Sequence, residues 1–223
     1  MRVVIFGASG MVGQGVLLEC LDQAEVRRVL VVGRSSCGVT HPKLEEVLHQ
    51  DFLDYSTVEN RLAGLDACFF CLGVSAAGMS EDTYRRITSD FTLAAAEVLL
   101  RLNPGLCFIY VSGTGSDDTG TSRMMWARVK GEVENRLLAM PFGAAYMFRP
   151  GFIQPLRGIR SKTAAYRAVY AVLGPLFPLF DRTLPRMVTT TERVGRAMIR
   201  VVREGSDKKF LENSDINTLA ASR

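Results

Sequence analysis

Glycines near the N-terminus are the first residues whose spacing could do chemistry. The segment Gly7-Ala8-Ser9-Gly10-Met11-Val12-Gly13 follows an apolar run and opens a helical pattern. Without side chains, the first two glycines let the backbone turn tightly and approach a pyrophosphate, and the third lets a helix pack close to a strand. The helix N-terminus would add N–H donors and the positive end of its dipole. The GxxGxxG spacing therefore predicts a dinucleotide phosphate site, with a structural strand-to-helix turn as the alternative.

The residue that ends the second strand indicates which dinucleotide is bound. About twenty residues after the third glycine, NAD-binding proteins place an acidic residue on the ribose hydroxyls. Here the strand ends in Val31-Val32-Gly33-Arg34, without Asp or Glu. An arginine at this point pairs with a 2′-phosphate. Arg34 therefore predicts NADP rather than NAD, unless it is a solvated loop residue.

Cysteine and histidine offer little further chemistry. Cys68 and Cys71 have the spacing of a metal or redox pair, but they lie in the apolar run ACFFCLG, which is typical of a buried strand. On a strand their side chains point to opposite faces, with Cα atoms roughly 10 Å apart, too far for a disulfide. The five cysteines are expected to be reduced thiols. With His41 and His49 as the only histidines, no metal site and no Ser-His-Asp triad is predicted.

An alternation of strands and helices is expected to position these residues. Apolar runs of strand length are followed by stretches of helical periodicity, which is typical of a parallel sheet with crossover helices. The predicted strands are Val3 to Phe6, Val29 to Val32, Ala67 to Leu72, Cys107 to Val111 and Ala144 to Phe148. The predicted helices are Met11 to Gln23, a short piece near Tyr55 to Leu62, Glu81 to Leu102 and Met124 to Ala139. The predicted fold class is α/β, a Rossmann-type doubly wound parallel sheet.

The pattern changes beyond Arg149, where a small C-terminal helical appendage is predicted. Residues 164–180, AAYRAVYAVLGPLFPLF, contain Arg167 and two prolines and so fall short of the roughly 20 uninterrupted apolar residues of a membrane span. We expect them to pack in the core or to form the wall of a substrate pocket, with contact to a membrane surface as the alternative. The segment TTTERVGRAMIRVVREG predicts a capped amphipathic helix closed by Gly205. We expect one domain over residues 1–223, with 151–223 as a substrate-side appendage.

Composition narrows the class of protein and its partners. Hydrophobic content of 48% with 22% charged residues is ordinary for a globular protein and argues against disorder or a fibrous class. The net charge of +4 comes from 27 basic and 23 acidic residues scattered along the chain, so we expect a small-molecule partner and no nucleic acid. The N-terminus MRVVIFGASG lacks the longer apolar core and cleavage site of a signal peptide, which predicts a cytoplasmic protein.

Six short segments carry a resemblance to a known family: GASGMVG, VVGR, CFFCLG, IYVSGTG, VKGEVE and RPG. Over nearly the whole chain they resemble the short-chain dehydrogenase/reductase superfamily in its atypical, epimerase-like branch. Within that branch they are similar to the small NADP-binding proteins related to the Tat-interacting oxidoreductase-like protein. The resemblance implies an adenine site at Asp51 and Phe52, a ribose and nicotinamide wall at Leu72 and Gly73, and a nicotinamide loop at Arg149-Pro150-Gly151.

The resemblance also implies a catalytic helix, from which one residue of this chain departs. In the superfamily a serine polarises the substrate carbonyl, a tyrosine transfers the proton, and a lysine four residues later lowers the tyrosine pKa and holds the nicotinamide ribose. Residues at i and i+4 share a helix face, so the two side chains lie together. Ser112 and Lys130 match the family positions, but the residue four before Lys130 is Trp126. Because indole has no acid or base function near neutral pH, we expect a kept cofactor site and an altered proton-transfer site.

Two functions of different classes are consistent with this pattern. The first is an NADP-dependent oxidoreductase or isomerase of a small carbonyl or hydroxyl compound, whose proton is handled by another residue, a water relay or the substrate. The second is an NADP-binding sensor or protein-interaction module without hydride chemistry. The Ser112 and Thr114 hydroxyls have pKa values too high to act unaided, and the adjacent Asp117 and Asp118 indicate a solvated loop.

Overall fold

A parallel sheet forms the centre of the protein. The computed structural model describes residues 1–159, 177, 183–184 and 186–221. In that part of the chain the sheet has seven strands in the order β3-β2-β1-β4-β5-β6-β9, and all neighbouring strands are parallel. The strands are β1 (Arg2–Phe6), β2 (Arg28–Gly33), β3 (Leu44–Leu48), β4 (Ala67–Phe70), β5 (Cys107–Val111), β6 (Ala144–Arg149) and β9 (Phe210–Glu212). The strand order reverses between β1 and β4, and doubly wound folds bind ligands at such a switch point.

Helices cover both faces of the sheet. They are α1 (Met11–Asp22), α2 (Glu81–Arg85), α3 (Phe91–Leu102), α4 (Met125–Ala139), α5 (Thr191–Glu204) and α6 (Asn213–Ala221). Val3 and Ile5 of β1 belong to the core layer that also contains apolar residues of α1 and α5. Val4 and Phe6 belong to the layer that contains apolar residues of α3 and α4. Because both faces of the strand are buried, β1 reads as a continuous apolar run rather than as an alternating one.

The α/β doubly wound prediction is confirmed. All five predicted strands are present, and the predicted helix over Glu81 to Leu102 is present with a π-helical turn at Arg86–Asp90 between α2 and α3. The helix predicted near Tyr55 to Leu62 is only a short 3₁₀ turn, Glu59–Arg61. Strand β3 was not among the predicted strands. Its sequence, LEEVL, lies at the sheet edge and carries two half-exposed glutamates, which hide the apolar signal of a strand.

The two cysteines of the CFFC segment face opposite sides of the sheet, as predicted. Cys68 lies in the layer formed with α3 and α4, and Cys71 packs against the layer formed with α1 and α5. All five cysteines are free thiols, and burial raises the pKa of the Cys71 thiol to about 12. Among the described residues, no cluster of three or more His, Cys, Asp or Glu side chains is arranged to hold a metal ion.

The C-terminal part of the chain contains strands as well as the predicted helix. Helix α5 begins after Thr190, whose side chain accepts a hydrogen bond from the Arg193 N–H, and ends at Gly205 with a φ of +75°. The helical prediction omitted a two-stranded parallel sheet, β7 (Phe152–Gln154) with β8 (Val188–Thr190), and strand β9, which extends the main sheet. Strands of three residues are too short to show an alternating pattern in the sequence.

The apolar segment 164–180 falls outside the described residues, apart from Phe177, which is buried. The interpretations of this segment as core, pocket wall or membrane-surface contact stay predictions. Within the described ranges, none of the helices has the length and apolar character that crossing a membrane requires.

Helices α1 and α5 cross at a short distance through two glycines. A Cβ atom on Gly15 would lie 2.5 Å from the Thr191 Cβ, and one on Gly195 would lie 2.8 Å from the Glu19 Cγ. Glu19 is almost fully buried at this crossing, and its Oε2 accepts a hydrogen bond from the Arg196 Nε at 2.9 Å. Helix α1, which follows the glycine turn, is therefore fixed to α5 in the C-terminal part of the chain.

Candidate functional site

The glycine segment forms a tight turn at the switch point of the sheet. Gly7 has a φ of +80°, and a Cβ atom there would lie 2.6 Å from the Leu72 N. A Cβ atom on Gly13 would lie 2.2 Å from the Gly7 carbonyl oxygen, which accepts a hydrogen bond from the Gly10 N–H at 2.9 Å. Gly10 is the N-cap of α1 and provides no side-chain cap, so the first-turn N–H groups of α1 receive no hydrogen bond from a capping side chain. This geometry fits a pyrophosphate, and cofactor binding by Gly7 to Gly13 stays a prediction.

The loop after β2 leaves the Arg34 guanidinium without a partner among the described residues. Arg34 is exposed, and its backbone carbonyl accepts a hydrogen bond from the Gln50 Nε2 at 3.0 Å. Glu46 of β3 was missed in the sequence, because it comes from the strand that was not predicted. Its carboxylate accepts from the Ser36 Oγ at 2.8 Å and the Cys37 N–H at 2.7 Å. Burial acts to raise the pKa of Glu46, but these hydrogen bonds lower it below its ordinary value, so the carboxylate is committed to the loop.

The two residues expected at the adenine ring have different surroundings. Asp51 is exposed, and its Oδ1 accepts a hydrogen bond from the Leu53 N–H at 3.0 Å. Phe52 is buried, and its ring centroid lies 6.4 Å from that of Phe6 and 5.6 Å from that of Phe91. The Phe52 side chain therefore packs in the core, and only its backbone could contact an adenine ring. By contrast, the Leu72 backbone lies directly beside the Gly7 turn, and the role of Leu72 and Gly73 in lining the cofactor stays a prediction.

Helix α4 presents Trp126, Lys130 and Glu134 on successive turns, toward the end of β5. The Lys130 Nζ donates a hydrogen bond to the Ser112 backbone carbonyl. The Ser112 Oγ donates to the Glu134 Oε1 at 2.5 Å, so its hydroxyl is already committed inside the protein. Trp126 is half-buried and packs against Gly115, where a Cβ atom would lie 3.4 Å from the indole Cη2. The structure thus brings the three residues of the predicted catalytic site to one place, and their catalytic role stays a prediction.

A buried ion pair underlies this site and was missed in the sequence. Glu134 has no exposed surface, and its two carboxylate oxygens accept from the Arg149 Nε at 2.9 Å and Nη2 at 2.5 Å. Arg149 also pairs with Asp118 at 3.1 Å and lies 4.3 Å from the Phe210 ring centroid. The Arg149 side chain, expected in the nicotinamide loop, therefore points to α4. The spacing of Glu134 four residues after Lys130 was the available signal, since it places both on one helix face.

The loops after β5 and β6 are tied together by Thr114. Its N–H donates to the Pro150 carbonyl and its Oγ1 to the Arg149 carbonyl, both at 3.0 Å. The predicted solvated loop at Asp117 and Asp118 is more ordered than expected. Asp117 accepts from the Ser122 N–H, while Asp118 pairs with Arg149. Both aspartates therefore have structural partners at the edge of the site.

None of the described tyrosines presents an exposed phenol at this site. All four described tyrosines are buried: Tyr55, Tyr84, Tyr110 and Tyr146. Burial raises the pKa of Tyr110 well above its ordinary value, and nearby Tyr84 and Glu134 raise it further. Tyr166 and Tyr170 lie outside the described residues. Within the described ranges, no tyrosine occupies the position on α4 one turn before Lys130, where Trp126 stands.

Lys130 is expected to give a measurable pH dependence of stability. Burial lowers its pKa from 10.5 to about 8, although nearby Glu134 acts in the opposite direction. Between those two values the unfolded chain keeps the proton that the folded protein has lost, so the free energy of unfolding rises with pH. We expect the parent protein to gain stability between about pH 8 and 10 relative to Lys130→Met, as measured by urea unfolding at each pH. Parallel curves for the two proteins would show that Lys130 is not desolvated.

The fold is that of a Rossmann protein, and solved short-chain dehydrogenases/reductases share it. Among solved structures, a short-chain dehydrogenase/reductase from Saccharomyces cerevisiae has a TM-score of 0.68 at 13% identity, with 99% of this chain and 98% of that chain covered. A UDP-N-acetylglucosamine 4-epimerase from Methanobrevibacter ruminantium has a TM-score of 0.66 at 16% identity, with 94% and 74% covered. No protein-family model matches the chain.

Sequence relatives narrow the class further. The chain is 30% identical to Protein HTATIP2 of Rattus norvegicus over 156 residues, which cover 68% of this chain and 62% of the rat protein. It is 24% identical to the mitochondrial protein fmp52 of Emericella nidulans over 231 residues, which cover 96% and 97% of the two chains. These relatives confirm the resemblance to the atypical short-chain dehydrogenases/reductases and to the Tat-interacting protein group.

The relatives also correct the expected location. The prediction of a cytoplasmic protein is wrong, because several fungal relatives are named mitochondrial proteins. The prediction rested on the missing apolar core of a secretory signal peptide, and that feature tests for export only.

Proposed function

We propose that the protein is an NADP-dependent oxidoreductase or isomerase of a small carbonyl or hydroxyl compound, in which Trp126 stands in place of the usual catalytic tyrosine. One observation carries the proposal. The Gly7 turn at the end of β1 and the Ser112–Lys130 contact at the end of β5 lie at the same edge of the sheet, separated only by β4. A dinucleotide bound along this edge would therefore run from the phosphate loop to the predicted catalytic residues.

In this proposal, separate groups of residues bind the cofactor and position the reacting atoms. Backbone N–H groups of the first turn of α1 bind the phosphates, and Arg34 binds the 2′-phosphate. Lys130 lies where its ammonium group reaches the nicotinamide ribose, while Glu134 and Arg149 fix Ser112. NADPH held there supplies a hydride. The proton comes from water, from the substrate or from Lys130, whose lowered pKa of about 8 suits proton transfer near neutral pH.

The experiment that tests the proposal is NADPH consumption against a panel of small aldehydes, ketones and secondary alcohols. We expect slow turnover with at least one member, lost in Lys130→Met. Tight NADPH binding without turnover of any compound would contradict the enzymatic proposal.

That contrary outcome would favour a catalytically silent NADP-binding sensor or interaction module. A specific observation supports this second function, namely that the Ser112 hydroxyl donates to Glu134 and not into the open site. A search for a stable partner of the NADPH-bound protein in solution would then be the discriminating experiment.

Arg34 should set the preference for NADPH over NADH. Its guanidinium is exposed at the end of β2, and Glu46, the nearest acidic residue of β3, is held by Ser36 and Cys37. We expect Arg34→Ala to narrow the difference in binding free energy between NADPH and NADH by about 1.5–3 kcal/mol, the range of a charge-assisted hydrogen bond. Calorimetry with both cofactors measures this difference. Equal affinities in the parent protein would contradict the assignment of the 2′-phosphate site.

A further inference from the structure

A cavity of about 310 Å³ opens at the edge of the sheet where β5 ends. Nearly all of its exposed lining is apolar. The described residues that line it are Thr114, Gly151, Phe152, Leu184, Arg186, Met187 and Val188. Gly151 also belongs to the predicted nicotinamide loop, whereas the other lining residues were not predicted to bind the cofactor or to take part in catalysis.

The walls of the cavity are held in place by backbone contacts. A Cβ atom on Gly151 would lie 2.4 Å from the Met187 carbonyl oxygen, which also accepts a hydrogen bond from the Phe152 N–H at 2.8 Å. Thr114, which also lines the cavity, is hydrogen-bonded to the loop after β6. Thr114 follows Ser112 by two residues, so the segment that holds Ser112 continues into the lining of the cavity.

We propose that this cavity takes the hydrocarbon part of the substrate, and that the substrate is an aldehyde or ketone with a compact apolar chain. The inference rests on the proposed function for the carbonyl group. A sugar nucleotide, which the structurally similar epimerase handles, is disfavoured here. Burying its hydroxyl groups against Phe152, Met187 and Val188 would leave them without hydrogen-bond partners, which is unfavourable. Leu184 and Met187 are exposed at 45% and 62%, and an apolar chain would cover both.

Reduction of such a substrate is balanced in atoms and electrons when NADPH is the hydride donor. The carbonyl carbon gains a hydride and the carbonyl oxygen gains a proton from water or a side chain. The product is an alcohol, and NADPH is oxidised to NADP⁺. No further oxidant or reductant is required.

Ligands of graded chain length test the cavity independently of turnover. Straight-chain primary amides from propanamide to octanamide resemble the aldehydes in shape but are not reduced, and their binding to the NADP-loaded protein can be measured by calorimetry. We expect the affinity to rise by about fourfold per methylene until the cavity is full, since each buried CH₂ contributes roughly 0.8 kcal/mol. UDP-glucose should not compete with octanamide.

Two leucine variants test whether the amides bind in this cavity. Leu184 lines the cavity, so Leu184→Gln should weaken the binding of octanamide by about tenfold and change the binding of propanamide little. Leu48→Gln makes the same change at another exposed leucine, on β3, and should leave both affinities unchanged. A flat chain-length series, preferential binding of UDP-glucose, or a full series retained in Leu184→Gln would overturn the inference. Amide binding with the expected pattern but without aldehyde reduction would support the cavity and refute only the oxidoreductase proposal.

Discussion

Replacing Trp126 with tyrosine is expected to raise the rate of NADPH oxidation with a small aldehyde by as much as about 10²- to 10⁴-fold, the usual contribution of general acid–base catalysis. The substitution puts a phenol one helical turn before Lys130, whose Nζ lies at the Ser112 carbonyl. The smaller ring leaves Gly115, which packs against the indole, undisturbed. Absorbance at the NADPH band under steady-state conditions measures the gain.

Two further variants test whether an increased rate of NADPH oxidation is due to the new phenol. Trp126→Phe makes a similar change of volume without a hydroxyl and should give no increase. Adding Lys130→Met to Trp126→Tyr should remove the increase, because the phenol pKa is then no longer lowered. The opposite pattern would require the catalytic helix to be assigned elsewhere: brisk reduction by the parent protein that falls in Trp126→Tyr and survives Ser112→Ala. The dinucleotide site rests on other residues and would stand.

The second large effect is expected from the ion pair between Glu134 and Arg149. Glu134 is fully buried and both of its oxygens bind the guanidinium, so Glu134→Leu leaves a largely buried cation without its main partner. Removing one member of a buried pair typically costs about 3–5 kcal/mol in the free energy of unfolding. Chemical denaturation of the parent and of the variant measures the loss.

The double variant Glu134→Leu with Arg149→Met separates pairing from charge burial. It should recover most of the loss, because replacing both members by apolar residues is often neutral. Arg101 and Glu59 form a surface pair at 2.6 Å and provide the matched control. Glu59→Gln should leave the free energy of unfolding almost unchanged, because an exposed ion pair contributes little to stability. A loss of similar size in both single variants would contradict the role assigned to burial.

The sequence was most informative where local chemistry alone decides the structure. The Gly7 to Gly13 turn, the buried strands and the capped helix that ends at Gly205 could be predicted, because each follows from spacing within a short segment. The opposed faces of Cys68 and Cys71 followed from the period of a strand.

The rest depended on partners far apart in the chain. Glu134 meets Arg149 and Ser112 only after three elements have packed together, and no local pattern shows that its charge is buried. Glu46 holds the loop of Ser36 from an edge strand whose apolar signal is weak. The cavity beside Thr114 is formed by residues more than thirty positions away, so neither its size nor its apolar lining was visible in the sequence.

The crossing of α1 and α5 has a consequence for synthesis on the ribosome. Helix α1 leaves the ribosome well before α5, but the surface that covers Gly15 and Glu19 lies at Thr191 to Gly195, far along the sequence. Strand β9, whose Phe210 lies against Arg149, emerges later still. Until those later segments emerge, the apolar surface of α1 stays exposed and can aggregate. A nascent chain halted before residue 190 should therefore be held by chaperones, and the candidate site should become competent only after α5 and β9 have been synthesised.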